Sequence, residues 1–253
     1  MNTQFLFGSL LLACTTVSSE SHAAFTLASG GATIDYHAAA WATVAGGANS
    51  AGFEALILDE YFNQAGVTSR TNTQILNDEV QANPPYTGQL YQMNGTSVSN
   101  LAGRTNQATT FSYNVGTPTA HTGVIGLGGM TRWDVNPLLG GGNILFGDFT
   151  LQYDANRLLV GGSGWALTGN VSPASVVFDL LNVVINATDT SFDISGDLGV
   201  SYEVANFLFA TPTDQGKDVG NFSFSATAVP EPSRVLLLLA GLGGVGWSRR
   251  RRA

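Results

Sequence analysis

The sequence predicts a mainly β protein: an antiparallel β-sandwich or jelly-roll-like domain, two short helices near its N-terminus, and a transmembrane-like helix at its C-terminus. Three observations carry that expectation. Beyond Pro85, apolar and polar residues alternate, as in Phe149-Thr150-Leu151-Gln152-Tyr153 and Phe222-Ser223-Phe224-Ser225-Ala226. Such alternation marks half-buried strands with one wet face. Turn residues punctuate these runs at Gly140 to Asn143, Asp154 to Asn156, Gly161 to Gly164 and Thr211 to Asp214, and strands at that spacing suit a sandwich. Before Pro85 the apolar spacing is three and four residues, which suits helices.

Taken in order, Phe25 to Leu27 and Ala32 to Tyr36 read as short strands separated by Ser29-Gly30-Gly31. Phe53, Leu56, Ile57 and Tyr61 recur at helical spacing until Gly66. A second helix is expected from Thr71 to Val80, with Ile75, Leu76 and Val80 inward and Asn83-Pro84-Pro85 as its stop. Asp59-Glu60 and Asp78-Glu79 would lie on the wet faces. Val176 to Ile185 is more continuously apolar and suits a central strand.

The two ends of the chain are of a different character. Phe5 to Ala13 is an apolar core of signal-peptide length, and Ser21 and Ala23 supply small residues before a cleavage point between Ala23 and Ala24. A leader of residues 1–23 implies Sec-type export. Leu12-Ala13-Cys14 offers a rival lipoprotein site, but leucine is not the favoured residue there and a second anchor would be redundant. At the other end, residues 229–253 read Val-Pro-Glu-Pro-Ser-Arg, then an apolar run from Val235 to Trp247, then Ser248 and the four arginines Arg249, Arg250, Arg251 and Arg252. Pro230 and Pro232 hold the chain extended, so the folded domain, residues 24–228, is expected to end before them. Arg249, Arg250, Arg251 and Arg252 would act as a membrane stop on the cytoplasmic side. As a helix the apolar run reaches roughly 20 Å, short of a hydrocarbon core of roughly 30 Å. That makes it a marginal anchor, suited to a temporary stop. Gly241-Leu242-Gly243-Gly244-Val245-Gly246 matches a dinucleotide fingerprint in form only, because no acidic residue follows at the required distance.

This tail resembles the PEP-CTERM sorting signal of exported bacterial proteins, on the strength of Pro230-Glu231-Pro232, the apolar run and the basic end in that order. The resemblance implies an exosortase, a membrane protease with a cysteine nucleophile, as the partner that reads the motif. It implies transient anchoring in the inner membrane of a Gram-negative bacterium, followed by delivery to the cell surface or extracellular matrix. Proteins of this kind are typically associated with exopolysaccharide and biofilm.

Without leader and tail the composition sharpens. Cys14 leaves with the leader, so the core alone must hold the fold. Arg70, Arg104, Arg132, Arg157 and Lys217 face sixteen carboxylates between Ala24 and Val229, a net charge near −11. Nucleic-acid binding, which needs a basic footprint, is therefore not expected.

Candidate chemistry is sparse. Asp189, Asp193 and Asp197 are the weak metal candidates, as calcium ligands. On a strand they share one face with Ser191 and Ser195, but carboxylates four residues apart are about 13 Å apart, too far to share an ion without a bend at Gly196. A solvated acidic face is the simpler reading. His37 and His121 fit no metal-ligand spacing, no G-x-S-x-G nucleophile motif is present, and Lys217 sits in a loop where a solvated charge is expected. Trp133 and Trp165 are candidates for stacking on sugar rings, although large aromatics more often belong to cores. Asn94, Asn170, Asn186 and Asn221 stand in N-x-[ST] sequons read as turns and wet strand faces. No catalytic residue and no cofactor are expected. The leading function is a non-enzymatic surface or matrix protein associated with exopolysaccharide; the alternative is a surface-delivered polysaccharide hydrolase using an Asp/Glu pair, as glycosidases do.

Overall fold

Among the described residues the alternating sequence folds into twelve antiparallel strands: β1 Ala24–Tyr36, β2 Leu56–Asn63, β3 Gln89–Met93, β4 Ser112–Asn114, β5 Thr117–Thr122, β6 Ile125–Val135, β7 Asn143–Gly147, β8 Thr150–Tyr153, β9 Trp165–Gly169, β10 Ser175–Ala187, β11 Ser191–Val200 and β12 Asp218–Pro230. The same residues hold short helices between the strands: α1 Ala38–Trp41, α2 Gln64–Val67, α3 Asn72–Asn77 and α4 Tyr202–Phe209. This computed structural model describes residues 24–44, 54–78, 84–171, 174–209 and 212–231. Several expectations lie outside the described residues: Ala23, Pro232, the run from Val235 to Trp247 with its transmembrane-like helix, and the membrane stop of Arg249, Arg250, Arg251 and Arg252. Among the described residues no helix is long and apolar enough to cross a membrane.

The sheet closes on itself. Its order is β12-β11-β10-β9-β8-β6-β3-β1, and β1 pairs in turn with β12, from Phe25↔Pro230 to Tyr36↔Gly220. The expected mainly β, antiparallel fold is therefore present, its sandwich-like layers joined into a closed eight-strand barrel that leaves no free edge along that path. The two short strands expected at the start are one long strand, β1, with a register shift between Leu27 and Ser29. Its first residues also pair with β4 (Ala24↔Asn114 to Thr26↔Ser112), and its second half pairs with β3.

Strand β6 belongs to two sheets. Its first residues pair with β3 and β8, while Gly129 to Val135 pairs with β2 and with β7. The change of partner falls at Gly128-Gly129, where Gly129 has φ +142° and a Cβ would lie 2.9 Å from the Tyr91 ring. Only glycine allows both that backbone and that approach.

Inward residues of every barrel strand form one core, including Ile34, Tyr91, Leu127, Leu151, Leu167, Phe178, Ile194 and Phe224. One end of this core is filled by an aromatic cluster: Trp41 of α1 lies 4.9 Å from Trp133, which lies 5.0 Å from Tyr36 and 6.4 Å from Phe146. The other half of the core holds Phe111, Tyr113, Trp165 and Phe192.

The segment Leu56 to Asn63 is a strand, contrary to the helix expected there. Leu56, Leu58, Glu60 and Phe62 point inward, and Ile57 is exposed. Helical spacing arose because the apolar residues sit on both faces, while the buried register contains a glutamate. The second expected helix is present, shorter than expected. Thr71 caps it in a reciprocal capping box with Gln74, and the helix ends at Asn77.

Candidate functional site

The described part of the sorting motif is built into the barrel. On its β11 side, β12 makes its last rung at Ser191↔Thr227, and Ala228 N donates to Thr190 O at 2.8 Å. On its β1 side pairing continues through Thr26↔Val229 and Phe25↔Pro230, and Glu231 N donates to Ala24 O at 2.8 Å. Alternation along a strand turns the Pro230 nitrogen toward β11, where the neighbour has already ended, so its missing N–H leaves no partner unsatisfied. The expected domain end at residue 228 is thus corrected: ordered structure runs through Pro230 to Glu231. Val229, Pro230 and Glu231 all have exposed side chains. Ala24, the residue that leader cleavage would make the new N-terminus, stands opposite Glu231.

Around this rim, Tyr113 packs on Phe25 at 5.9 Å, and its hydroxyl donates to Thr188 O at 2.7 Å and Ser191 O at 2.9 Å. The β4 strand therefore ties the β10–β11 hairpin to the end of the barrel at which Ala24 and Glu231 stand.

Asp193 and Asp197 occupy the solvent face of β11, as the alternation predicted, with Phe192, Ile194 and Leu198 buried behind them. Asp193 accepts from Ser225 Oγ at 2.5 Å and Asp197 from Asn182 Nδ2 at 2.6 Å. Asp189 lies in the hairpin before β11. Among the described residues no three His, Cys, Asp or Glu side chains group to hold a metal ion. Asp35 and Asp197 flank Asn221 across adjacent strands in a shallow depression of about 400 Å³.

Trp133 and Trp165 are core residues, 0% and 3% exposed. This corrects their candidacy as glycan contacts: no ring face reaches solvent, and Trp133 Nε1 is satisfied internally by Thr131 Oγ1 at 3.0 Å. Asn186 and Asn221 lie on wet strand faces. Asn94 and Asn170 are buried, Asn94 donating to Gln107 O at 2.9 Å and Asn170 to Thr150 Oγ1 at 2.7 Å.

All five cations named for the mature domain are engaged within it. Arg104 forms a bidentate pair with Asp148 (2.7 and 2.8 Å), the two side chains being 1% and 0% exposed, and also donates to Val67 O and Arg70 O. Arg132, buried on β6, pairs with Asp59 and donates to Ile75 O at 3.0 Å and Asp78 O at 2.6 Å, closing the end of α3. Arg157 pairs with Asp179 and with Glu203 at 2.8 Å. Arg70 meets Asp78 at 2.6 Å, and Lys217, expected as a solvated charge in its loop, donates to Thr43 O at 2.7 Å while its side chain stays partly exposed. Among the described residues the charged groups left facing solvent are mostly carboxylates.

Two environments shift titrations. Burial raises Asp148 in spite of Arg104, and burial lowers His121, which lies among Trp165 at 4.8 Å, Phe111 at 5.3 Å and Tyr153 at 5.3 Å. A folded-state histidine value below the ordinary 6.5 or so means that the unfolded chain binds its proton first, so stability falls as pH drops through that value. Thermal midpoints measured between about pH 7.5 and 5 should therefore fall less for His121→Phe than for the unmodified protein. Equal slopes would remove His121 from the account.

A cavity of about 630 Å³ opens beside α4, lined by Ile144, Val177, Val204 and Phe207 among others. The carboxylate on its wall, Glu203, is held by Arg157. Burial opposes ionisation there, but the hydrogen bonds from Arg157 lead the set that leaves its value lowered. A lowered, paired carboxylate is poorly placed to act as a general acid.

Residues 228–252 match the PEP-CTERM protein-sorting motif. The chain carries a PEP-CTERM sorting signal. The match spans Pro230, Glu231 and Pro232 together with Arg249, Arg250, Arg251 and Arg252, the motif and the basic end on which the resemblance rested. That motif implies exosortase processing, with export and membrane-anchored sorting before surface release. No curated protein matches the chain. Among solved structures, the C-terminal domain of HtaA from Corynebacterium glutamicum aligns over 81% of this chain and 99% of that one, at 16% identity and a TM-score of 0.40. A likeness that loose carries nothing over about function.

Proposed function

We propose that this PEP-CTERM protein is a non-enzymatic component of the cell surface or extracellular matrix, associated with exopolysaccharide in a biofilm. In this reading a Sec-type leader exports the chain, the tail holds it at the inner membrane of a Gram-negative host, and an exosortase then processes it. The sorting motif is the observation that carries this reading. Support comes from the exterior: with its five cations committed internally, the domain presents carboxylates, hydroxyls and amides to its surroundings. Such a surface stays soluble in a crowded polyanionic matrix and can be bridged to it by divalent cations. The rival hydrolase needs a carboxylate pair in a cleft, whereas Asp35 and Asp197 lie on an outer barrel face and already accept hydrogen bonds from Gly88 N and Asn182.

The test is a pull-down of host exopolysaccharide by purified mature protein, with and without calcium, beside a turnover assay on the same polymer. Retention without hydrolysis is expected. Turnover that disappears on replacing one Asp or Glu would overturn the proposal in favour of the hydrolase.

A further inference from the structure

We propose that the terminal rung between β1 and β12 is a gate on the sorting cleavage, and that the motif is read when this rung opens. The proposal rests on exosortase processing as given above.

The two members of the rung are held unequally. Ala24 to Thr26 is paired on both edges, with β4 on one side and β12 on the other, and Phe25 is buried against Tyr113. Val229 to Glu231 is paired on one edge only, because β11 hands off at Thr227 and Ala228. Opening therefore peels the end of β12 away and leaves β1 in the wall. What is lost is confined to the bonds beyond Ala228, since Val229 is 46% exposed and Pro230 and Glu231 are exposed too. Local openings of this kind, with little apolar burial to lose, are the ones a folded domain samples most readily.

A protease cleft grips extended backbone on both sides of its target. Backbone that is paired in a ladder, in the wall of a closed barrel, does not offer its groups to a cleft. In the closed state Val229, Pro230 and Glu231 lie along β1. The apolar run starts at Val235, so at about 3.5 Å per residue the membrane-embedded part begins no more than about 14 Å beyond Glu231. The barrel rim then stands close to the membrane and crowds the enzyme as well. Peeling at Val229 frees the motif and moves the rim away from it. The gate also joins the two processing events, because β1 begins at the residue that leader removal exposes.

Cysteine pairing tests this in the full-length chain. Thr26 and Val229 are directly opposed, and opposed residues in an antiparallel ladder have Cα atoms about 4.5–5.5 Å apart, within disulfide range. Cys14 leaves with the leader, so the Thr26→Cys, Val229→Cys double variant forms its bridge without competition. In a host carrying the exosortase, tail removal is expected to stop in the oxidised variant and to return when the same variant is kept reduced. A second variant, with Gly-Ser inserted between Ala228 and Val229, lifts the motif off the rung and should be cut faster than the unmodified chain. An oxidised variant cut as fast as its reduced form, or an insertion variant cut more slowly, would overturn the gate while leaving exosortase processing in place. An unmodified chain that keeps its tail would overturn the processing reading and the gate with it.

Discussion

Arg104→Met is expected to destabilise the barrel by roughly 3–5 kcal/mol near pH 7, the cost of removing one partner from a buried ion pair. The side chain leaves three acceptors behind: the Asp148 carboxylate and the carbonyls of Val67 and Arg70. The Asp148 side chain is fully buried, and its backbone at φ +44° fixes where the carboxylate points. Its titration in the native protein already lies above the ordinary value because burial outweighs the arginine. A raised folded-state value means a charged-form penalty that is absent below an ordinary aspartate value of about 3.9 and complete above the folded one. In the variant that value rises further, so the deficit should shrink as pH falls toward 4. Urea titrations at pH 7 and pH 4 measure both effects. Arg104→Met combined with Asp148→Asn should recover much of the loss, since asparagine tolerates the left-handed backbone and carries no charge. Equal deficits at the two pH values would show that the pair is not the cause.

Trp133→Ala should cost roughly 3–5 kcal/mol as well, by a different route. The indole touches Trp41, Tyr36, Tyr86 and Phe146, and these residues come from α1, β1, the loop before β3, and β7. Its removal leaves a cavity where the flared sheet β2-β6-β7 meets the barrel. Trp133→Phe keeps part of the ring contact and should lose clearly less. Denaturant midpoints of the two variants decide the matter: a change within about 0.5 kcal/mol for Trp133→Ala, the usual range for a surface site, would mean that the ring is not in the core.

These two residues also show what the sequence could reveal. Alternation read correctly in β11 and β12 because each has one apolar and one wet face. In β8 alternation misplaced Thr150, which is buried, and Tyr153, which is exposed, and β6 shows no alternation because Ile125 to Trp133 are all buried. It failed at Leu56–Asn63, where Glu60 occupies a buried position within 3.8 Å of Arg132 and breaks the inward row. A charged residue inside a strand reads as wet until its partner is known, and that partner lies about seventy positions along the chain. Arg104 was opaque for the same reason. The helix α3 was legible from its apolar spacing, and the Thr71–Gln74 capping box moved its start by one residue. Helix α4 was missed because its eight residues, broken only by Glu203 and Asn206, are too few to tell a helical stripe from a short buried strand. The barrel itself depends on β1 meeting β12, nearly the whole domain away, and no local pattern records that closure. The sorting motif was fully legible, being a linear signal. Its participation in the last rung was not, since prolines argue for an end to the strand unless the neighbouring strand has already stopped.

The most direct test of the account is the intact mass of the protein recovered from a host with and without its exosortase, for the unmodified chain and for Glu231→Ala. The Glu231 side chain is exposed and its contribution to the rung is made by the backbone N–H, so the substitution leaves the barrel intact. For the unmodified chain with the enzyme present, a mass lacking leader and tail is expected. A membrane-bound form lacking only the leader is expected for Glu231→Ala, and the same form for either chain when the enzyme is absent. An unmodified chain that keeps its tail in the presence of the enzyme, indistinguishable from Glu231→Ala, would contradict exosortase processing.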